Sequence, residues 1–140
     1  MSLQRFLQSV VSNLRPNRRR KTAFSVDRME LLERRALLAG NVLVTLQNGN
    51  ATITGDTSDN SVQIAVSGST LVVQGTDGTT INGASTPFTL SSASTTFSGS
   101  LVALLGAGND SFSIGSGVTI SGTAKISGEA GNDTLSVNGT

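Results

Sequence analysis

Two carboxylates stand in the same short motif at two places in the chain. The motif reads "GAGNDSFSI" over residues 106–114 and "EAGNDTLSV" over residues 129–137. Each copy places an aspartate, Asp110 or Asp133, at the end of a glycine-containing turn and before a short alternation of polar and apolar residues. Carboxylate and backbone carbonyl oxygens are the ligands that Ca²⁺ prefers in proteins. The motif therefore predicts either a calcium site or a corner in which Asn and Asp bond to local backbone N–H groups.

A calcium site at this motif needs both turns. The ion takes about six to eight oxygens, whereas one turn supplies about three or four, so two stacked turns must share it. Asp110 and Asp133 are 23 residues apart. A chain segment of that length can return to the same edge, which would place the two carboxylates about 4.8 Å apart. The candidate metal ligands are Asp110, Asp133, Gly108, Gly131, Asn109 and Asn132.

The residues from 41 onwards alternate between apolar and polar types with a period of two, which predicts short β-strands. Turn sequences rich in Gly, Asn, Asp and Ser separate these strands, and no helix of normal length fits here. A third segment, "ITGDTSDNSVQI" at 53–64, aligns with 126–137, and "VVQGTDGTTI" at 72–81 is interpreted as a fourth, degenerate copy. Similar units that recur along the chain favour a β-solenoid over a sandwich or a barrel.

These copies resemble the Gly- and Asp-rich nonapeptide repeats of RTX, or hemolysin-type calcium-binding, proteins, in their degenerate form. Gly106, Gly108, Asp110 and Phe112 match the family pattern in one copy, and Gly128, Gly131, Asp133 and Leu135 match it in the other. Leu105 and Glu129 stand where that family has glycine. The resemblance implies a β-solenoid whose turns bind Ca²⁺, here weakly, with a dissociation constant of about 10⁻⁴–10⁻³ M as in extracellular modules.

The charge distribution divides the chain into two parts. Residues 1–40 contain nine cationic and three acidic residues, whereas residues 41–140 contain one lysine and six acidic residues. In the first part, apolar residues at helical spacing predict one amphipathic helix over 3–14 and a second over 27–39. The sequence therefore predicts a basic, helical targeting or leader segment at 1–40 and a β-solenoid-like repeat domain at 41–140, the latter expected to be a truncated piece of a longer protein.

The first part also carries a recognisable signature. The stretch "VDRMELLERRALLAG" at 26–40 resembles the LEPR-XLL type N-terminal domain of exported planctomycete proteins. Arg34 stands where that family usually has proline. The resemblance implies a targeting signal that meets a membrane or the export machinery, and hence an exported, extracellular or cell-surface protein.

Composition restricts the function classes. The chain has no Cys, His, Trp or Tyr, which removes thiol and imidazole chemistry and the aromatic rings that stack on sugars or bases. The sequence therefore favours a non-enzymatic part of an exported or surface β-repeat protein without nucleic acid as a partner. Weak calcium binding at the Gly-Asn-Asp turns stays open beside the favoured interpretation of these turns as metal-free corners. Two alternatives remain open: an adhesive module that binds cell-surface or matrix proteins without metal, and, least favoured, a carbohydrate-active β-helix enzyme that uses two carboxylates.

Overall fold

The computed structural model describes residues 40–140. The two predicted helices and nearly all of the targeting segment lie outside the described residues. Within 40–140 every regular element is a β-strand and no helix is present, which confirms the all-β prediction for this part of the chain. The strands are β1 (Asn41–Gln47), β2 (Asn50–Thr54), β3 (Ser61–Ser67), β4 (Thr70–Gly75), β5 (Thr80–Ile81), β6 (Phe88–Ser91), β7 (Thr96–Phe97), β8 (Leu101–Leu104), β9 (Ser111–Ile114), β10 (Thr119–Ile120), β11 (Ala124–Ser127) and β12 (Thr134–Val137).

The alternation in the sequence decides which side of each strand is buried. Successive side chains of a strand point to opposite faces, so every second residue can enter the core. In β3 the apolar residues Val62 and Ile64 are buried, whereas Ser61 and Gln63 are half-buried on the outer face. Leu46 breaks the pattern at the end of β1, where it is 41 % exposed beside the hairpin turn.

Three sets of strands pair in parallel and share one register. β8 lies between β2 and β11, β9 lies between β3 and β12, and β7 pairs with β10. In each set the apolar positions coincide: Phe112 lies beside Val62 on one side and beside Leu135 on the other. The apolar rows of the sets meet in one core, which includes Ile53, Ile64, Phe97, Leu101, Leu105 and Phe112.

The stack is closed at its first rung by antiparallel strands. β1 folds back on β2 through the Asn48–Gly49 turn, in which both residues have positive φ as a tight two-residue hairpin requires. β4 folds back on β3 and is itself covered by β6. The inner residues of these covering strands, Val44 and Val73 among them, are buried. The free edges of β2 and β3 are therefore paired, which removes them as sites of aggregation.

The prediction that residues 72–81 form a fourth copy of the repeat is wrong. Residues 70–75 form β4, which runs antiparallel to β3, whereas the matched segments of the other copies lie in parallel strands. The physical reason is the tight turn at Gly68, where φ is +65°, because it reverses the chain directly after β3. The similarity of composition reflects the shared requirements of strands and turns.

Candidate functional site

Three turns stack on one edge of the parallel strands. Turn 1 (residues 55–60) joins β2 to β3, turn 2 (105–110) joins β8 to β9, and turn 3 (128–133) joins β11 to β12. Because the strands on both sides keep one register, Asp110 lies next to Asp133 in space as well as in the alignment. The structure thus brings the two predicted carboxylates to the same edge.

The aspartates of turns 2 and 3 each bond to the turn before them. Asp110 Oδ1 accepts a hydrogen bond from the backbone N–H of Asn60 at 2.8 Å, across 50 residues of sequence. Asp133 Oδ1 accepts one from the backbone N–H of Asp110 at 3.0 Å, across 23 residues. These bonds connect neighbouring turns, whereas the corner interpretation placed them within a single turn. Each aspartate therefore holds two turns together.

Asp59 and Asn109, one position before Asn60 and Asp110, form a second row of hydrogen bonds that runs in the opposite direction. Asp59 Oδ1 accepts the backbone N–H of Asn109 at 2.7 Å, and Asn109 Oδ1 accepts that of Asn132 at 3.1 Å. In this row each side chain bonds to the turn after it. Together the two rows connect every neighbouring pair of turns in both directions, so a displacement of one turn breaks bonds of both kinds.

The two glycines predicted as metal ligands have a packing role. Gly108 and Gly131 occupy equivalent positions in turns 2 and 3, with φ of +139° and +137°. A methyl group on Gly108 would approach the carbonyl oxygen of Ser58 to 2.7 Å, and one on Gly131 would collide with the carbonyl oxygen of Gly108. Glycine is thus required for both the backbone conformation and the close approach of successive turns.

Asp110 is the most unusual carboxylate in the described part of the chain. It is 2 % exposed, and its Oδ2 atom is buried with no hydrogen-bond partner among residues 40–140. Burial raises the pKa of Asp110, the bond from the Asn60 N–H opposes that rise, and the charges of Asp133, Asp59 and Asp56 add to it. A buried carboxylate oxygen among other carboxylates favours either a bound proton or a cation.

Turn 1 contains a further carboxylate, Asp56, that the sequence had not assigned to the site. Asp56 Oδ2 accepts the N–H of Asn41 at 2.8 Å, and its Oδ1 accepts the N–H of Ser58 at 2.9 Å and an amide N–H of Asn60 at 3.0 Å. The bond from the Asn41 N–H is the largest of the effects that lower the pKa of Asp56. Asp56 therefore fastens turn 1 to the start of β1, and the signal for it in the sequence was its alignment with Glu129 of the other copy.

The fit of these turns to calcium is partial. Asp110 Oδ2 is available, whereas Asn109 Oδ1 and one oxygen of Asp133 already accept backbone N–H groups. The carbonyls of Gly106 and Ala130 also accept hydrogen bonds from neighbouring turns. Within residues 40–140 no three His, Cys, Asp or Glu side chains converge as a metal-binding group.

The arrangement has chemistry suited to holding successive turns together. Its oxygens accept backbone hydrogen bonds, its glycines admit close backbone contact, and one buried carboxylate oxygen, Asp110 Oδ2, remains for a proton or a cation. Residues 40–140 contain no helix that is long and apolar enough to cross a membrane. Comparison of the chain with protein-family models, curated protein sequences and solved structures found no match.

Proposed function

We propose that residues 41–140 form a short β-solenoid-like repeat domain and that the chain is a non-enzymatic, structural part of an exported or surface β-repeat protein. The observation that carries this proposal is one constant offset. The pairs β7–β10, β8–β11 and β9–β12 are all displaced by the same 23 residues that separate Asp110 from Asp133. A displacement shared by three strand pairs and the turn between two of them is the signature of a coil that winds once per 23 residues.

The offset in sequence between the first and second coils is longer than the offset between the second and third. The pairs β2–β8 and β3–β9 are both displaced by 50 residues, the separation of Asn60 from Asp110. The additional residues lie between β3 and β7 and include β4, β5 and β6. Of these, β4 pairs with β3 of the first coil, β6 pairs with β4, and β5 pairs with β1. The inserted residues therefore add strands beside the first coil and leave the register of the parallel strands unchanged.

Engineered cysteines test this architecture, since the chain has none of its own. Ser113 and Ser136 are direct neighbours on the outer face of β9 and β12. Their Cα atoms should be about one strand spacing apart, within disulfide reach. Oxidation of the variant with Ser113→Cys and Ser136→Cys is expected to form a cross-link in nearly all molecules. In the control pair, Ser111→Cys with Ser136→Cys, the residues are two positions out of register, and equal cross-linking there would contradict the solenoid.

The structural role is supported by how the carboxylates are used. Asp56, Asp59, Asp110 and Asp133 all accept backbone N–H groups, so each is committed to turn geometry. A glycosidase needs two carboxylates facing a sugar across a cleft. Incubation with pectin and other glycans is expected to release no reducing ends. If the chain does release reducing ends and the Asp133→Asn variant does not, the chain is an enzyme and the structural proposal is contradicted.

Export rests on the resemblance of residues 26–40 to the LEPR-XLL segment. A tagged full chain expressed in a planctomycete host is expected in the medium or on the cell surface. A matched chain with Leu37→Asp and Leu38→Asp, which disrupts the apolar end of the segment, is expected to stay inside the cell. Retention of both chains in the cytosol would contradict the proposal.

Weak calcium binding is a second candidate function, favoured by the buried Oδ2 atom of Asp110. Asp110 and Asp133 would hold the ion, with Asn109, Asn132 and the carbonyls of Gly108 and Gly131 as the further oxygens. Bound calcium would neutralise the repulsion between the two carboxylates. Millimolar Ca²⁺ is then expected to raise the melting temperature and to release or absorb heat on titration, and Asp110→Asn is expected to abolish both effects. Mg²⁺ is the control ion, and absence of heat and of any shift with Ca²⁺ removes the candidate.

A further inference from the structure

The last rung of the parallel stack carries apolar residues that its neighbours bury. Leu135 and Val137 in β12 are 47 % and 61 % exposed. Their direct partners in β9, Phe112 and Ile114, are 1 % and 3 % exposed. Because the four side chains occupy the same inward-facing rows, the difference comes from the absence of a covering rung beyond β12 among the described residues.

A groove continues this apolar surface. It has a volume of about 280 Å³ and is lined by Ile114, Ile120, Ala124, Ile126 and Val137, together with the last two residues. Ile120 and Ile126 belong to β10 and β11, so all three strands of the last rung contribute to one surface, called the end face below. Apolar surface that is continuous over several strands marks a site of association.

The hydrogen-bonding rows also remain open at the end face. The backbone N–H of Asn60 is bonded by Asp110 and that of Asp110 by Asp133, but within residues 40–140 no side chain accepts the N–H of Asp133. Likewise, Asn109 Oδ1 accepts a backbone N–H, whereas none in the same range is donated to Asn132 Oδ1. These open groups define the hydrogen bonds that an additional rung placed on this face would make.

We infer that the end face binds one further coil of the same repeat. That coil supplies an aspartate whose carboxylate accepts the N–H of Asp133, and a preceding residue whose N–H is donated to Asn132. A glycine in its turn admits the carbonyl of Gly131, and its inward-facing apolar residues cover Leu135 and Val137. The inference deepens the proposed solenoid and rests on it. At the opposite end of the described residues, β1 and β4 already pair with β2 and β3.

The test is a full chain extended after Thr140 by a second copy of residues 118–140, which keeps the 23-residue register. Amide hydrogen exchange at residues 134–137 is expected to slow at least about tenfold, because these backbone groups gain partners and lose contact with water. The melting temperature is expected to rise and the fluorescence of a hydrophobic dye to fall. An extension with the same composition in scrambled order is the control.

Three results would overturn the inference. One is unchanged exchange at residues 134–137 in the extended chain, and another is equal protection by the scrambled extension. The third is a stable dimer of the original chain that dissociates on Leu135→Ser and Val137→Ser, since a second copy would then be the occupant. The Ser113–Ser136 cross-link separates these failures from failure of the solenoid itself, because it depends only on coils already present.

Discussion

Turns 2 and 3 have nearly the same sequence and different surroundings. Both contain Ala-Gly-Asn-Asp, both place glycine at a φ near +138°, and both lead into a strand. Turn 2 has a neighbour on each side, and its Asp110 is buried; turn 3 has a neighbour on one side, and its Asp133 is half-buried. The comparison teaches that burial and hydrogen bonding of this motif depend on its place in the stack.

The two turns also differ in the hydrogen bonds that their aspartates make. Asp110 both accepts a hydrogen bond from the turn before it and donates its own N–H to the turn after it. Asp133 accepts from Asp110, but its own N–H has no side-chain acceptor within residues 40–140. We therefore expect each substitution in turn 2 or β9 to cost more stability than its counterpart in turn 3 or β12.

The largest difference is expected in the apolar row. Phe112→Ala removes a ring that is 1 % exposed, and its cost is about 3–5 kcal/mol of unfolding free energy. Leu135→Ala at the same position of β12 removes a side chain that is 47 % exposed, and its cost is about 1 kcal/mol. Urea unfolding of the full chain measures both values, and equal losses would show that the last rung is as well covered as the one before it.

The glycines give the next difference. Gly108→Ala adds a methyl group 2.7 Å from the Ser58 carbonyl oxygen at a φ that L residues rarely adopt, and its cost is about 2–4 kcal/mol. Gly49→Ala is the matched control, since its φ is also positive but the space around it is open, so only backbone strain of about 1 kcal/mol is expected. If both variants lose the same stability, close approach of the turns has no energetic role.

The pH dependence separates the two aspartates. The raised pKa of Asp110 means that the folded state holds its proton more tightly than the unfolded chain, so stability falls as pH rises from about 4 through that pKa. Asp110→Asn is expected to remove this slope and Asp133→Asn to reduce it, because the charge of Asp133 contributes to the shift. Melting temperatures at a series of pH values measure the slope.

The contribution of Asp56 lies at lower pH and has the opposite sign. Its pKa is lowered from 3.8, so its stabilisation is complete above that value and is lost as pH falls further. Melting temperatures measured from about pH 4 upwards therefore report the contribution of Asp110 without that of Asp56. A slope that persists unchanged in Asp110→Asn would assign it to another group.

The smallest difference is expected in the asparagines. Asn109→Ala removes the acceptor of the Asn132 N–H, with a cost of about 0.5–1.5 kcal/mol. Asn132→Ala removes a side chain whose oxygen accepts no backbone N–H in the described range, and we expect a change within about 0.5 kcal/mol. Urea unfolding measures both changes. If the unfolding curves of the two variants coincide, the row of hydrogen bonds does not run in one direction as described.

The sequence was sufficient for the strands and for the alignment of the turns. The period-two alternation places Val62 with Ile64, and Phe112 with Ile114, on one side of their strands, and the structure buries all four. These features follow from local rules, since strand periodicity and the conformational freedom of glycine act within a few residues. The same local rules misled the assignment of residues 72–81, because a strand and a glycine-rich turn look alike in a coil and in a hairpin.

By itself, the sequence determined a chain of short β-strands joined by Gly-Asn-Asp turns, with an acidic β-rich part after a basic beginning. Only the tertiary structure decided that Asp110 accepts the N–H of Asn60 rather than one in its own turn, and that its other oxygen is buried without a partner. The physical reason is that these bonds join residues 23 or 50 positions apart. Such contacts depend on the register between strands, which local patterns leave undetermined.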